Sequence, residues 1–324
     1  MSFSNITPII IDRAVIEING GCNYSCEMCP QSQPGGRGKN WLKKMSLGRF
    51  ESVVDQLVNS GLRVVNLEGS GEPTLNSNLD EYVKIVKRHG AKAFMFSNGN
   101  RMQGDFMKRV VDAGSDFFRF SIIGYNPETY WAWMNSKEFT KVINNLEAMQ
   151  RYVEDSVSDC VVATYHLVMD NENVDYEVEQ YRKIVDNAGV KTEIWKMHNW
   201  SGVYEPMHGR TGELRTCGRP FSPDLVIRAG GDTGKWGAVH PCCQVLGRDD
   251  EAILGHISDN TAEEIWNGPE YQRLREQHTN GDYPDFCKGC DFLIDDPEVL
   301  VYTNHERDLY KMHGTEFNLN DYRK

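Results

Sequence analysis

No run of this 324-residue chain stays apolar for the roughly 20 residues that a membrane-spanning helix needs, so a membrane is not an expected partner. The opening residues, Met-Ser-Phe-Ser-Asn-Ile-Thr-Pro, lack the basic start and following apolar stretch of a secretory signal. Internal repeats and long low-complexity segments are absent too. Positive charge is in short supply: 35 Lys and Arg stand against 47 Asp and Glu, a formal net charge of −12. That balance argues against sequence-independent binding to phosphate backbones, and nucleic acid is a disfavoured partner. Without a secretory signal the nine cysteines are expected to be free thiols or metal ligands in a reducing, cytoplasmic setting rather than disulfides.

Three of those cysteines, Cys22, Cys26 and Cys29, share one short run, Gly-Gly-Cys-Asn-Tyr-Ser-Cys-Glu-Met-Cys-Pro. One loop can thus place three thiolates around one inorganic centre, and thiolates select soft metals and iron–sulfur clusters. On a cubane [4Fe–4S] cluster three ligands leave one iron open to hold a reactant. A zinc site or plain buried thiols are the alternatives.

Around this run strands and helices alternate. Strands are expected at Arg13–Asn19, Val64–Leu67, Ala91–Phe96, Phe117–Ile123, Cys160–Val168 and Lys191–Trp195. Helices are expected at Ser46–Ser60, Leu79–His89, Gly104–Ala113, Glu138–Val153 and Tyr176–Asn187, most of them with apolar residues at helical spacing. Such alternation implies a parallel sheet with its functional loops at the C-terminal strand ends. After Trp195 the rhythm stops. Leu225–Arg228 and Trp236–Val239 read as a hairpin, Thr261–Gln277 as one helix opened by a Thr261/Glu264 capping box, and the chain from about Val299 as a polar tail.

The run Cys-x3-Cys-x2-Cys resembles the signature of the radical S-adenosylmethionine (radical SAM) family. The resemblance implies a partial (β/α)6 barrel and a [4Fe–4S] cluster whose open iron binds SAM. Reduction of that cluster by a flavodoxin- or ferredoxin-type donor would cleave SAM to a 5'-deoxyadenosyl radical. Met28 replaces the aromatic residue common before the third cysteine and can still pack beside adenine. Ser70-Gly71-Glu72-Pro73 resembles the family's Gly-Gly-Glu-Pro stretch at the amino end of SAM, with Ser for the first Gly. Ser97-Asn98-Gly99 is similar to runs near the SAM ribose, and Ser121 in Arg119-Phe120-Ser121 to a serine that points to SAM. Ordinary turns, or a structural strand serine, are the alternative readings of these stretches, and for Ser70–Pro73 its place after the second strand favours the SAM reading.

Five more cysteines follow: Cys217, Cys242, Cys243, Cys287 and Cys290. Cys287-Lys-Gly-Cys290 alone is equally a zinc knuckle. Gly237 to Cys242, with Leu254–Ile257 and Glu264–Arg275 before the knuckle, resembles the SPASM and twitch modules that append auxiliary clusters to radical SAM enzymes. No cysteine follows Cys290, as a two-cluster SPASM module would require. The resemblance therefore implies the twitch form, with one auxiliary [4Fe–4S] cluster on Cys217, Cys242, Cys287 and Cys290; Cys243 could stand in for Cys242. Cys160 lies in an apolar strand and is read as core.

The expected organisation is a radical SAM barrel over 10–200, a small twitch/SPASM-like iron–sulfur domain over 201–298 and a tail over 299–324. Glu193 and His198, at or just beyond the sixth strand, are candidate catalytic residues facing a substrate. The architecture is similar to that of the family's aminocyclitol dehydrogenases. The expected reaction is hydrogen abstraction from a small hydroxylated molecule, a sugar or aminocyclitol, with the auxiliary cluster taking an electron. A peptide or protein maturase is a rival, lowered by the 21 residues before Cys22, too few for a leader-binding domain. A radical epimerase using Cys243 as hydrogen donor and a non-catalytic iron–sulfur or zinc scaffold are the others.

Overall fold

The computed structural model describes residues 11–34, 36, 38–169, 171–204, 217–293 and 300–305. Its frame is one sheet of ten strands in the order β10-β6-β5-β4-β3-β2-β1-β7-β8-β9. The first six strands are β1 (Arg13–Ile16), β2 (Val64–Leu67), β3 (Lys92–Ser97), β4 (Phe117–Ser121), β5 (Val161–Val168) and β6 (Lys191–Lys196), each parallel to the next. Helices α1 (Leu47–Asn59), α2 (Leu79–Arg88), α3 (Gly104–Asp112), α4 (Pro127–Met134), α5 (Phe139–Asp155) and α6 (Val174–Ala188) follow the strands in chain order. The six expected strands and the five expected helices between them are all present.

Local chemistry explains the elements. Ser46 caps α1 by accepting from the Arg49 amide, and Phe50, Val53, Val54 and Leu57 form its buried face. The strands are covered on both sides and read as apolar runs. Val64, Phe94, Phe117 and Ala163 form a small separate cluster on the inner face of the sheet, with Phe96 and Val161 packed against it. The inner-face positions nearer the C-terminal strand ends are polar.

Three differences from the expected elements have physical reasons. Helix α4 was not expected; Asn126 and Thr129 cap each other reciprocally at its start, and Pro127 occupies its first turn. The expected helix Thr261–Gln277 is two helices, α7 (Ala262–Trp266) and α8 (Pro269–Asn280), because Gly268-Pro269 ends one and opens the other. The tail expected from Val299 contains a strand, β10 (Leu300–Thr303), antiparallel to β6 at the sheet's outer edge.

The C-terminal module continues the same sheet. Strand β7 (Asp224–Ile227) pairs in parallel with β1, Arg13 opposite Asp224 through Ile16 opposite Ile227. Strands β8 (Ala238–His240) and β9 (Gly255–His256) then add in antiparallel order, so the expected hairpin is present.

Candidate active site

The loop after β1 carries Cys22, Cys26 and Cys29, all half-buried. A tight turn bonds the Cys29 amide to the Cys26 carbonyl at 3.1 Å, and the Tyr24 amide donates to Cys22 Sγ at 3.4 Å. Met134 Sδ lies 3.8 Å from Cys26 Sγ, so α4 backs the loop.

Glu72 anchors this loop to the neighbouring strand ends. Its buried carboxylate accepts from Thr74 N and Oγ1 at 2.9 and 2.6 Å, Ser97 Oγ at 2.7 Å and the Asn98 amide at 2.8 Å. Its own amide donates to the Gly21 carbonyl at 2.7 Å. Burial raises the Glu72 carboxyl above its usual range, against the pull of these donors. Asn98 Nδ2 reaches Asn23 Oδ1 in the cysteine loop at 2.9 Å. Gly71 passes so close to that loop that a Cβ there would lie 2.2 Å from Asn19 O and 2.4 Å from Gly21 O. Ser70 turns to Glu17, donating to Oε2 from its amide at 2.6 Å and from its hydroxyl at 2.7 Å.

Glu17 links the barrel to the C-terminal module. Arg228, just after β7, donates from Nε to Glu17 Oε2 at 2.9 Å and from Nη1 to Asp249 Oδ1, and all three side chains are buried. Asp249 also accepts from Gln31 Nε2 at 2.8 Å, two residues beyond Cys29. Burial works against the charge of Arg228, but Glu17 and Asp249 outweigh it and hold the guanidinium above the ordinary arginine range.

The second cysteine set gathers Cys217, Cys242, Cys287 and Cys290. Burial pushes the Cys217, Cys242 and Cys287 thiols up and the Cys290 thiol up to about 11, and each of the four feels at least one other cysteine. Cys287 feels Cys242, Cys290 and Cys217 together. Cys243 is exposed, Arg219 Nη1 donates to its Sγ at 3.4 Å, and it lies close enough for its charge to reach Cys217 and Cys242. Burial pushes Cys160 up to about 12, as a core thiol in an apolar strand.

One cavity of about 320 Å³ joins the two sets. Cys22, Cys26 and Cys29 line it, as do Met28, Ser70, Gly71, Glu72, Ser97, Asn98, Ser121 and His198 from the sequence-based candidates. Cys242 and Cys243 line its far side with Arg219 and Gln244. Glu193 is not on the wall; it lies behind Arg119, whose Nη1 donates to its Oε2 at 3.3 Å. His198 packs against Trp200, ring centres 4.3 Å apart, and Phe292. The sequence reading passed over Glu17, Glu68, Arg119, Tyr165, Arg219 and Arg228. Apart from Arg219, which sits in a short turn before β7, their common signal is an ionisable or hydroxyl side chain on the inward alternation of a strand or just beyond its end.

The family model described as the radical SAM superfamily matches residues 16–185, more than half of the chain. The chain belongs to the radical SAM superfamily. A second model, an iron–sulfur cluster-binding domain of the SPASM type, matches residues 224–291. A probable GTP 3',8-cyclase of Thermococcus kodakarensis is 31% identical over 142 residues, 44% of this chain and 42% of its own length. The radical SAM chain thus spans less than half of that relative. A tungsten-containing aldehyde ferredoxin oxidoreductase cofactor-modifying protein of Pyrococcus furiosus is 22% identical across 85% of this chain and 86% of its own. Among solved structures, BtrN in complex with AdoMet and 2-DOIA superposes with a TM-score of 0.57 at 18% identity, covering 86% of this chain and 92% of BtrN. Streptococcus suis SuiB bound to precursor peptide SuiA gives 0.60 at 12% identity, covering 81% and 66%. These superpositions show a shared fold.

A radical SAM domain implies a [4Fe–4S] cluster and SAM, and a SPASM domain implies auxiliary iron–sulfur binding. The residues fit both. Thiols buried too deeply to ionise alone are deprotonated outright when a metal takes them. Among the described residues no group of three or more His, Cys, Asp or Glu converges on one metal-ion position. Among the described residues no helix is long and apolar enough to cross a membrane.

Proposed function

We propose that this radical SAM enzyme dehydrogenates a small hydroxylated molecule, a sugar or aminocyclitol, to a carbonyl compound. Cys22, Cys26 and Cys29 would hold the SAM-binding cluster, and Cys217, Cys242, Cys287 and Cys290 the auxiliary one. When bound, these groups supply a 5'-deoxyadenosyl radical on one side of the cavity and a one-electron acceptor on the other. The observation that carries the reading is one cavity whose lining includes Cys22, Cys26 and Cys29 together with Cys242 and Cys243. A molecule held there would be within reach of both proposed centres. Its volume, about 320 Å³, is at the small end of ligand sites and favours a compact co-substrate beside SAM. Met28, Gly71 and Asn98 would frame SAM. Glu72 and Ser97, hydrogen-bonded to each other, would hold that frame in shape, and Glu193 would position Arg119. His198 and Trp200 would shield the reacting carbon from water.

A second reading is redox-neutral epimerisation. It is favoured by Cys243, an exposed thiol on the same cavity wall that could return a hydrogen atom. A peptide substrate is the third, supported by the peptide-bound SuiB neighbour and by similarity to the mycofactocin maturase MftC of Mycolicibacterium smegmatis, 23% identical over 61% of this chain and 48% of its own.

Anaerobic enzyme given dithionite, SAM and a panel of carbinol-deuterated sugars and aminocyclitols tests all three. Deuterium in 5'-deoxyadenosine, with carbonyl product stoichiometric with SAM, is the expected result. A redox-neutral product carrying solvent deuterium would replace the dehydrogenase reading with the epimerase, and turnover of peptide alone with the maturase.

A further inference from the structure

Below the cysteine loop, the inner face of the sheet carries a charged layer that neither cysteine set uses. Glu68 ends β2, Arg119 lies in β4 and Tyr165 in β5, and all three line the cavity. Arg119 is tightly fixed. Its guanidinium stacks on Phe96 at 3.6 Å and on Tyr165 at 4.3 Å, and its Nη1 bonds to Glu193. Glu193 in turn accepts from Trp195 Nε1 at 3.1 Å, and His305 Nε2, just past β10, stands 3.6 Å from its other oxygen. Glu193 is therefore committed to holding Arg119. Glu68 is held far more loosely: its side-chain hydrogen bond among the described residues is a long one, 3.3 Å from Asn66 Nδ2 to Oε1.

We propose that Glu68 is the general base of the oxidation, accepting the substrate's hydroxyl proton as the carbonyl forms, with the Arg119 cation on the same cavity wall. The inference rests on the dehydrogenation reading. Loss of a hydrogen atom from the carbinol carbon leaves a carbon radical that still bears its O–H. The carbonyl forms when the O–H proton passes to Glu68 and one electron leaves for an iron–sulfur acceptor. The other electron of the two-electron oxidation has already gone, with the hydrogen atom, to 5'-deoxyadenosine. Burial raises the Glu68 carboxyl to about 7, with Arg119 and Asn66 pulling the other way. A base with that affinity can take a proton at neutral pH and release it again. The groups facing Glu68 are Arg119 and, through it, Glu193 and His305, together with Tyr165 from β5. Burial keeps Tyr165 neutral, and Val15 and Phe96 supply apolar walls.

The test uses Glu68→Gln and Glu68→Asp in the fully reconstituted enzyme, with the deuterated substrate identified above. Iron content, SAM affinity and deuterium transfer to 5'-deoxyadenosine should stay within about threefold of wild type in both, since neither cluster nor SAM depends on the carboxylate. Carbonyl product should fall about 100-fold or more in E68Q, the range for loss of a general base, and recover in part in E68D. Wild-type product formation should rise with pH through about 7, because the base must be ionised, and E68Q should lose that limb. Undiminished carbonyl formation in E68Q with the pH limb intact overturns the proposal. Loss of iron or SAM binding in E68Q overturns it too, assigning Glu68 to the scaffold. A wild-type enzyme that transfers deuterium yet returns a redox-neutral product overturns the dehydrogenation reading itself, whatever the variants do.

Discussion

Replacing Arg228 with methionine removes the cation from a buried cluster while keeping most of its volume. Arg228 is within hydrogen-bond reach of Glu17 and Asp249, each almost fully buried, and its guanidinium stands 5.3 Å from the Trp41 ring. Without it, Glu17 keeps donors from Ser70 and the Ala229 amide, and Asp249 keeps Gln31 and the Gly247 amide. Those hydrogen bonds do not replace a positive charge. Removing one partner of a buried ion pair costs about 3–5 kcal/mol, because the charge left behind is uncompensated. For a chain of this size that corresponds to a fall of roughly 4–7 °C in Tm. The double variant E17Q/R228M should be more stable than the sum of its single changes, since a neutral amide in place of the Glu17 carboxylate carries no stranded charge. Thermal unfolding of the anaerobically reconstituted proteins measures both. An R228M enzyme within about 1 kcal/mol of wild type, or a double variant no better than the sum, would refute the view that this triad ties the barrel to the C-terminal module.

Four further outcomes are expected. A Cys22/Cys26/Cys29 triple alanine variant should lose about four irons and all 5'-deoxyadenosine formation while keeping the auxiliary centre, and wild-type SAM cleavage would sink that assignment. Cys242→Ala should cost about four of roughly eight irons per chain and Cys243→Ala none; stoichiometric zinc with only about four irons in the wild type would make the second module a zinc site. Gly71→Ala forces a methyl group against Asn19 O and Gly21 O and should displace the cysteine loop and abolish SAM binding. Ser70→Gly gives up a hydroxyl bond to Glu17 and should cost about 1 kcal/mol, measurable by calorimetry of SAM binding and by thermal unfolding.

The alternation of apolar strands and one-sided helices made the six β/α units legible, because each element's burial pattern shows in its own few residues. The short Cys-x3-Cys-x2-Cys spacing marked the catalytic loop for the same reason. Helix α4 escaped because Tyr130, Trp131, Trp133 and Met134 crowd its last turns without forming one apolar stripe, and its signal was instead the Asn-Pro-x-Thr start. Strand β10 escaped because Leu-Val-Tyr-Thr is short and lies in a charged stretch; what makes it a strand is the open edge of β6. The candidates at strand ends could be named from local pattern, but not what they bond to. That Glu72 and Ser97 bond to each other, that Ser70 turns to Glu17 and that Glu193 lies behind Arg119 depend on residues 25 to 74 positions apart. No window of sequence displays those distances.

The pairing of β7 with β1 has a consequence for electron traffic. The strand leading into Cys22 and the strand leading into the Cys242 hairpin are stitched together residue by residue, Arg13 to Asp224 through Ile16 to Ile227. The gap between the two proposed redox centres would therefore be set by backbone ladder register rather than by side chains meeting across a soft interface. A slip of one residue would move one centre past the other by about 3.3 Å and turn its supporting side chains to the opposite face. Tunnelling falls steeply with distance, so such a slip would uncouple the two half-reactions without touching a single ligand. The chain between the modules can then vary in length and composition with little effect on their spacing, and selection on the redox step would act instead on the few backbone pairs of β1 and β7.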